Sequence, residues 1–274
     1  MVTVSLATGP RTLDTVYRSL EAIEFAGALS EWDRVLIKVN FVTTKTWDTG
    51  TTTDPLVVEG LINRVRDLGR EPIVVETDAQ VTNADKALVK TGMKDMLDRQ
   101  GVPFVNMRHE KEKVELKVID GKVLDSFKVA KIATKSPIIS AAKFKGISEF
   151  GITMGLKNMF GMLTTKWKFK YHRKDMHKVI HDICKTLPPV MTVIDGFVGL
   201  KGIMPMRGTP IPLNSVISST DSVAADSVGA RITGCDPHDI NYIRWLNESG
   251  IGEIKNYDIV GDNIEPLIEI YAKT

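Results

Sequence analysis

Cysteine is scarce: the 274 residues hold two, Cys184 and Cys235, with no CxxC spacing. Two such thiols cannot by themselves ligate an iron–sulfur cluster. Free cysteines without an export signal fit a reducing compartment. No apolar run reaches the roughly 18–20 residues that cross a bilayer. The opening MVTVSLATGPRTLD has neither the basic start nor the apolar block of a signal peptide. The expected location is cytoplasmic, with no membrane partner. Excess charge is also lacking: the formal net value is +2, which argues against a globally basic nucleic-acid binder. With 43% hydrophobic and 26% charged residues, the composition is that of an ordinary globular protein long enough for a sizeable core.

What is present is an alternation of strand-like and helix-like runs. VTVSLAT (2–8), RVLIKVNF (34–41) and PIVVET (72–77) read as strands, while 12–29, 52–69 and 83–101 carry helical apolar spacing. Asp54 can cap the second of these helices, with Pro55 in its first turn and Gly69 at its end. This βαβα order predicts an α/β fold: a mainly parallel sheet with helices on both faces. KVELKVIDGKVLDSFKVAKI (113–132) alternates about Asp120–Gly121 and predicts a β-hairpin. The expected organisation is an N-terminal lobe (1–112), the inserted hairpin (113–132) and a C-terminal lobe (133–274), with one cleft between the lobes. Strands at 136–144, 190–197 and 214–220, a helix over 175–187, a Gly/Pro-rich loop over 199–212 and a helix over 221–234 follow. A short helix near 237–249 and a small strand at 257–260 end the chain.

Ligands of open α/β sheets collect beyond the carboxyl ends of the strands. That rule selects Lys38 and Asn40 after the second strand, Glu76 and Asp78 after the third, then Lys143 and Asp195 on later ones. Thr52 and Thr53 adjoin a helix N-terminus, where unpaired N–H groups favour an anion. The stretch 146–161 holds four glycines in sixteen residues and ends near Lys157 and Asn158, a point charge and an adaptable amide. It has neither GK[ST] nor GxGxxG spacing, so it is no standard nucleotide loop.

Several of these pieces resemble the uncharacterised family catalogued as domain of unknown function 362. They are KVNFV (38–42), TTDP (52–55), Glu76, TG (91–92), GITMGLKNMFGML (151–163), His172 after a run of lysines, and VIDGFVGLKG (193–202). DSVAAD (221–226), GCDP (234–237), GIGE (250–253) and VG (260–261) continue the family order. The resemblance implies little about activity. Members are often fused to ferredoxin-like cysteine clusters, which implies redox or metal-cofactor chemistry, and a redox role in this chain would need a separate ferredoxin-like partner. Two departures stand out: AKFKG (142–146) has no histidine where the family often has one, and GLKG (199–202) puts Lys201 at a commonly acidic position. A histidine and a carboxylate lost and a lysine gained favour an anion over a metal.

The most conspicuous local feature is KWKFKYHRK (166–174), followed by DMHKVIH. Residues 166–178 sum to +5 and the rest of the chain to −3, which suits one local anionic partner better than a long polyanion. His177 and His181 share a helix face at i, i+4, but Lys178 stands between them and no metal site is expected. Trp167, Phe169 and Tyr171 could stack on bases while lysines track phosphates, a nucleic-acid reading disfavoured by the shortness of the patch. The segment is expected to form a lid over the cleft, or a homodimer contact. The leading expectation is an enzyme on a small anionic molecule, carboxylate or phosphate. In it Lys38, Lys143 and Lys157 fix charge, Asn40 and Asn158 orient the ligand, and Glu76, Asp78, Asp195 or His172 carries a proton. The reaction is proton abstraction beside a carbonyl, or electron transfer through a cofactor of unknown identity. The alternative is a non-catalytic carrier of an anionic metabolite.

Overall fold

The structure, a computed structural model, describes residues 1–147, 151–165, 167–204 and 206–274. Its strands are β1 (Val2–Thr8), β2 (Arg34–Lys38), β3 (Glu71–Glu76), β4 (Phe104–Asn106), β5 (Lys113–Lys117), β6 (Ser126–Ala130), β7 (Ile138–Ile147), β8 (Gly151–Ile152), β9 (Met191–Met204), β10 (Arg207–Ile211), β11 (Ser215–Ser219) and β12 (Tyr257–Gly261). Ten of them form one sheet with the central order β12-β1-β11-β9-β7-β2-β3-β4. From β9 through β7, β2 and β3 to β4 all neighbours are parallel. β11 runs antiparallel to both β9 and β1, and β12 lies parallel to β1. The sheet is unbroken across residue 133, because β7 pairs with β2, and the N-terminal strand sits between β11 and β12.

Strand side chains alternate between two apolar layers, as their period of two requires. Leu36, Ile73, Val75, Ile138, Ile194 and Ile217 face one layer, built with the helices Met176–Thr186, Ser222–Ile232, Asn241–Glu248 and Glu265–Lys273. Val35, Ile37, Val74, Ile139, Val193 and Val216 face the other, built with the helices Leu13–Glu21, Phe25–Leu29, Pro55–Asp67 and Met93–Gln100. Both faces are thus covered, the arrangement that a parallel sheet demands. No helix among the described residues is long and apolar enough to cross a membrane.

Several element boundaries differ from the sequence expectation, each for a local reason. The helix expected over 83–101 is two, Ala84–Lys90 and Met93–Gln100, split where Gly92 takes φ +78°, a conformation that interrupts helical propagation. The region 199–212 is not a loop: β9 runs on to Met204 and pairs with β10. Four of the five β10 residues are exposed, so no apolar alternation marks it. The hairpin β5–β6 forms its own two-stranded sheet as expected, but its connection spans residues 118–125 rather than a tight turn at Asp120–Gly121. That loop is held from outside: the Asp182 carboxylate accepts the N–H groups of Lys122, Val123 and Leu124 at 2.7, 2.8 and 2.8 Å. Asp182 also pairs with His181 Nδ1 at 2.8 Å. The carboxyl is buried, which opposes ionisation, yet the hydrogen bonds from His181 and the loop hold its pKa below the usual value.

Candidate functional site

After β2 the chain steps to β3 and β4 on one side, and it returns at β7 on the other. Such a reversal opens a crevice beyond the carboxyl ends of the two neighbouring strands. A cavity of about 470 Å³ occupies that place, lined among others by Lys38, Asn40, Glu76, Lys145, Lys157, Asn158, Lys168 and His172. The size suits a small organic molecule.

Its floor is a closed polar network. Lys38 Nζ lies 2.8 Å from Glu76 Oε1 and donates to the Val39 carbonyl at 2.6 Å and Asn158 Oδ1 at 3.1 Å. Glu76 accepts the Phe41 N–H at Oε2 (3.0 Å) and the Thr77 N–H at Oε1 (2.8 Å). Asn158 Nδ2 donates to the Lys38 carbonyl at 3.1 Å and to Ser140 Oγ at 3.0 Å. Asn40 Nδ2 reaches Asn158 Oδ1 at 3.2 Å, and Asn40 Oδ1 accepts Lys145 Nζ at 2.6 Å. Gly161 covers the ion pair so closely that a Cβ there would lie 2.5 Å from Lys38 Nζ. The short helix Gly155–Asn158, which supplies Lys157 and Asn158, is fixed at its start by Asp226, whose oxygens accept the Gly155 and Leu156 N–H groups at 2.8 and 3.0 Å. Burial pushes the Asp226 carboxyl up to about 7 against those two bonds.

Among the described residues the walls carry three further amines, those of Lys145, Lys157 and Lys168. Lys145 is fully buried, and its Nζ bonds only neutral oxygens among the described residues, Asn40 Oδ1 and the Thr51 carbonyl at 2.7 Å. Burial lowers its pKa well below the ordinary lysine value, and neighbouring Lys143 and Lys157 lower it further. Lys168, 4% exposed, reaches the Thr77 hydroxyl and the Gly161 carbonyl. Burial brings its pKa down to about 7, with Glu76 opposing and Lys38 assisting. Lys38 is also lowered by burial, with Glu76 opposing. Lys157 Nζ donates to Thr153 Oγ1 at 3.2 Å. His172 stands edge-on to Phe160, ring centroids 5.6 Å apart.

Of the residues selected from sequence, Lys38, Asn40, Glu76, Lys157, Asn158 and His172 therefore share this cavity, and five others do not line it. Lys143 and Asp195 form a separate buried pair at 2.8 Å, with Asp195 also accepting the Asp54 N–H at 2.8 Å. Burial raises the Asp195 carboxyl while Lys143 opposes. Asp54 caps its helix by accepting the Leu56 N–H and grips Arg11 at 2.6 and 2.7 Å, so a carboxylate already occupies that helix start. Thr53 accepts the Asn40 N–H and donates to the Ala141 carbonyl, and Thr52 donates to the Lys45 carbonyl. Both threonines are thus framework for the Asn40 loop.

Asp78 braces the loop after β3 through Ala84 N–H, Asn106 and Arg108. Its burial opposes ionisation, but those partners hold its pKa low. Ligand-type atoms of Asp78, Asp85 and His109 lie within 4.8 Å of one another outside the cavity, with the Arg108 guanidinium 2.9 Å from Asp78 Oδ2. A cation already holds that carboxylate.

The two residues that sequence reasoning missed are Lys145 and Lys168. Lys145 sits two places beyond the selected Lys143 on β7, past a register shift between them. Lys168 belongs to the basic run expected to form a lid or a homodimer contact, and it and Tyr171 are buried while Trp167 is 71% and Phe169 47% exposed. Helical rather than extended geometry over Phe169–His172 separates them so. Lys166 and residues 148–150 of the glycine-rich stretch lie outside the described residues. Of the histidine pair, His181 is buried against Asp182 and Ser249. His177 stacks on Tyr242 at 5.4 Å.

Comparison with known proteins adds a lineage. No solved structure matches the chain. A thylakoid-associated protein of the cyanobacterium Synechocystis sp. is 26% identical over 212 residues, covering 75% of this chain and 64% of that protein. The chain thus spans less than two thirds of that relative's length. The profile described as "Domain of unknown function (DUF362)" matches residues 35–231, a span that includes the whole floor and every lysine of the cavity. The chain belongs to the DUF362 family.

Proposed function

We propose that the cavity binds a small organic anion, a carboxylate or phosphate compound, and that the protein is an enzyme acting on it by proton transfer. The observation that carries this reading is the charge inventory of the wall. Among the described residues, four lysines line a cavity of about 470 Å³ with one carboxylate, that of Glu76, which is already committed to Lys38 and two N–H groups. Lys145 and Lys168 bond neutral oxygens, so an incoming anion would supply the counter-charge that burial otherwise makes costly.

Proton transfer falls to Lys168 and His172 in this reading, since Glu76 is saturated by donors and Asp195 is held by Lys143. An amine near pKa 7 is well matched to work at neutral pH. The compartment we favour is the cytoplasm, where Cys184 and Cys235 stay reduced.

The test is a thermal-shift survey with mono-, di- and tricarboxylates, phosphate esters and neutral analogues of each. The expected outcome is stabilisation by one class of anions, lost at least tenfold in apparent affinity in Lys145→Met. Equal response to the neutral analogues, or an unchanged response in the variant, would reject the reading. A carrier in place of an enzyme would bind the same anion and release it unaltered.

A further inference from the structure

Three amines of the cavity are held differently. Lys38 is ion-paired to Glu76 at 2.8 Å and donates to the Val39 carbonyl and Asn158 Oδ1, so its nitrogen is fully engaged in the floor. Lys145 is anchored between an amide oxygen and a backbone carbonyl at 2.6 and 2.7 Å. Lys168 enters from the segment that covers the cavity, immediately before the short helix Phe169–His172, and meets a hydroxyl, that of Thr77. Thr77 in turn donates to the Gly161 carbonyl. A buried amine oriented by a hydroxyl acceptor, facing a space lined by other cations, has the requirements of a nucleophilic lysine.

We propose that Lys168 is a covalent site, whose Nζ condenses with the carbonyl group of a small anionic aldehyde or 2-oxo acid while Lys145 and Lys157 hold that molecule's carboxylate or phosphate. This rests on the anion reading above and narrows it to carbonyl compounds. The nitrogen lone pair forms the bond to the carbonyl carbon, and the proton lost from nitrogen goes to the former carbonyl oxygen. The resulting carbinolamine then releases its hydroxyl with one further proton as water, leaving an iminium whose N–H proton returns to the group that supplied that proton, which gives the neutral imine. One amine and one carbonyl give one imine and one water, and no oxidant or reductant takes part. The Thr77 hydroxyl accepts from Lys168 Nζ and orients it, and His172 on the same wall can carry the protons.

The electrostatic setting agrees. Around Lys168 stand Lys38 from β2, Glu76 and Asp78 from β3 and its following loop, and Arg108 from beyond β4. Burial, Lys38 and Arg108 favour the neutral amine; Glu76 and Asp78 favour the ammonium. With a value of about 7, about half the amine is neutral at neutral pH, against roughly one part in 2,500 for an ordinary lysine.

The experiment incubates the full chain with glyoxylate or pyruvate and sodium cyanoborohydride, followed by intact-mass and peptide analysis. The expected result is one adduct at Lys168, formed at least tenfold faster than any adduct at neighbouring Lys170, with a rate that falls below pH about 7. Lys168→Met should abolish the adduct, and Lys170→Met should leave it unchanged. Label spread over exposed lysines, or undiminished labelling of Lys168→Met, overturns the proposal. Inorganic phosphate and acetate serve as non-carbonyl controls read by thermal shift. If they stabilise the protein while no adduct forms at Lys168, this inference falls and the anion reading stands. If no anion of the thermal-shift survey stabilises the protein and no adduct forms, both fall.

Discussion

Removing the Glu76 carboxylate would strand the Lys38 ammonium in a wall from which water is largely excluded. Breaking a buried pair by deleting one partner costs about 3–5 kcal/mol. Glu76→Gln is therefore expected to lose about 3 kcal/mol in urea unfolding, and Lys38→Met combined with Glu76→Gln to recover part of it. Additive losses in the double variant would show that the pair at 2.8 Å is not coupled. Lys168 makes the opposite prediction. Its pKa is about 7 in the folded chain and roughly 10.4 in an unfolded one, so the unfolded state binds more protons between these values and stability rises with pH across that window. Lys168→Met should thus be more stable than the parent by at least about 1 kcal/mol below pH about 7, with the gap closing towards pH 10. A gap constant with pH would contradict the depressed value. At this scale the sequence disclosed which residues stand at strand ends, Lys38, Asn40 and Glu76 among them. It could not disclose that Asp195 is neutralised by Lys143 or that Thr53 is spent on Asn40, because those partners are 52 and 13 residues away.

Among the elements, the short helix Gly155–Asn158 and the turn through Gly161 form the cover on the floor network. Gly161→Ala places a methyl group where Lys38 Nζ and Glu76 Oε1 already lie, at 2.5 and 2.9 Å. Three contacts hold that nitrogen, so it cannot swing aside cheaply. Overpacking of this kind costs roughly 1–3 kcal/mol, and the variant should also lose anion-induced thermal stabilisation. Unaltered stabilisation would show that the cover can shift freely. The long hairpin loop depends on Asp182 in the same sense: Asp182→Ala leaves the N–H groups of Lys122, Val123 and Leu124 without their acceptor. A loss of about 1–3 kcal/mol with faster amide exchange over 118–125 is expected; unchanged exchange would assign that loop's order to the β5–β6 pairing alone. The strands and helices with apolar periodicity were legible in sequence, β1, β2, β3 and Met176–Thr186 among them. β10 was not, because it is formed by pairing with β9 on an exposed surface, and helix Glu265–Lys273 was passed over at the chain end.

For the whole molecule, the reversal of strand order between β2 and β7 gathers residues from 38 to 172 at one sheet edge, which a linear reading can anticipate by rule but cannot position. Among the described residues the resulting cavity carries more amines than carboxylates, and three of those amines, Lys38, Lys145 and Lys168, are held below their usual pKa. A bound anion favours their protonated forms, so binding must be linked to proton uptake at pH 8. The most direct measurement is a calorimetric titration at pH 8 of the best-stabilising anion, run in two buffers of different ionisation enthalpy. The account predicts saturable binding with net proton uptake, both lost in the variant carrying Lys145→Met and Lys168→Met. Binding heats that are the same in both buffers and survive that double substitution would contradict it.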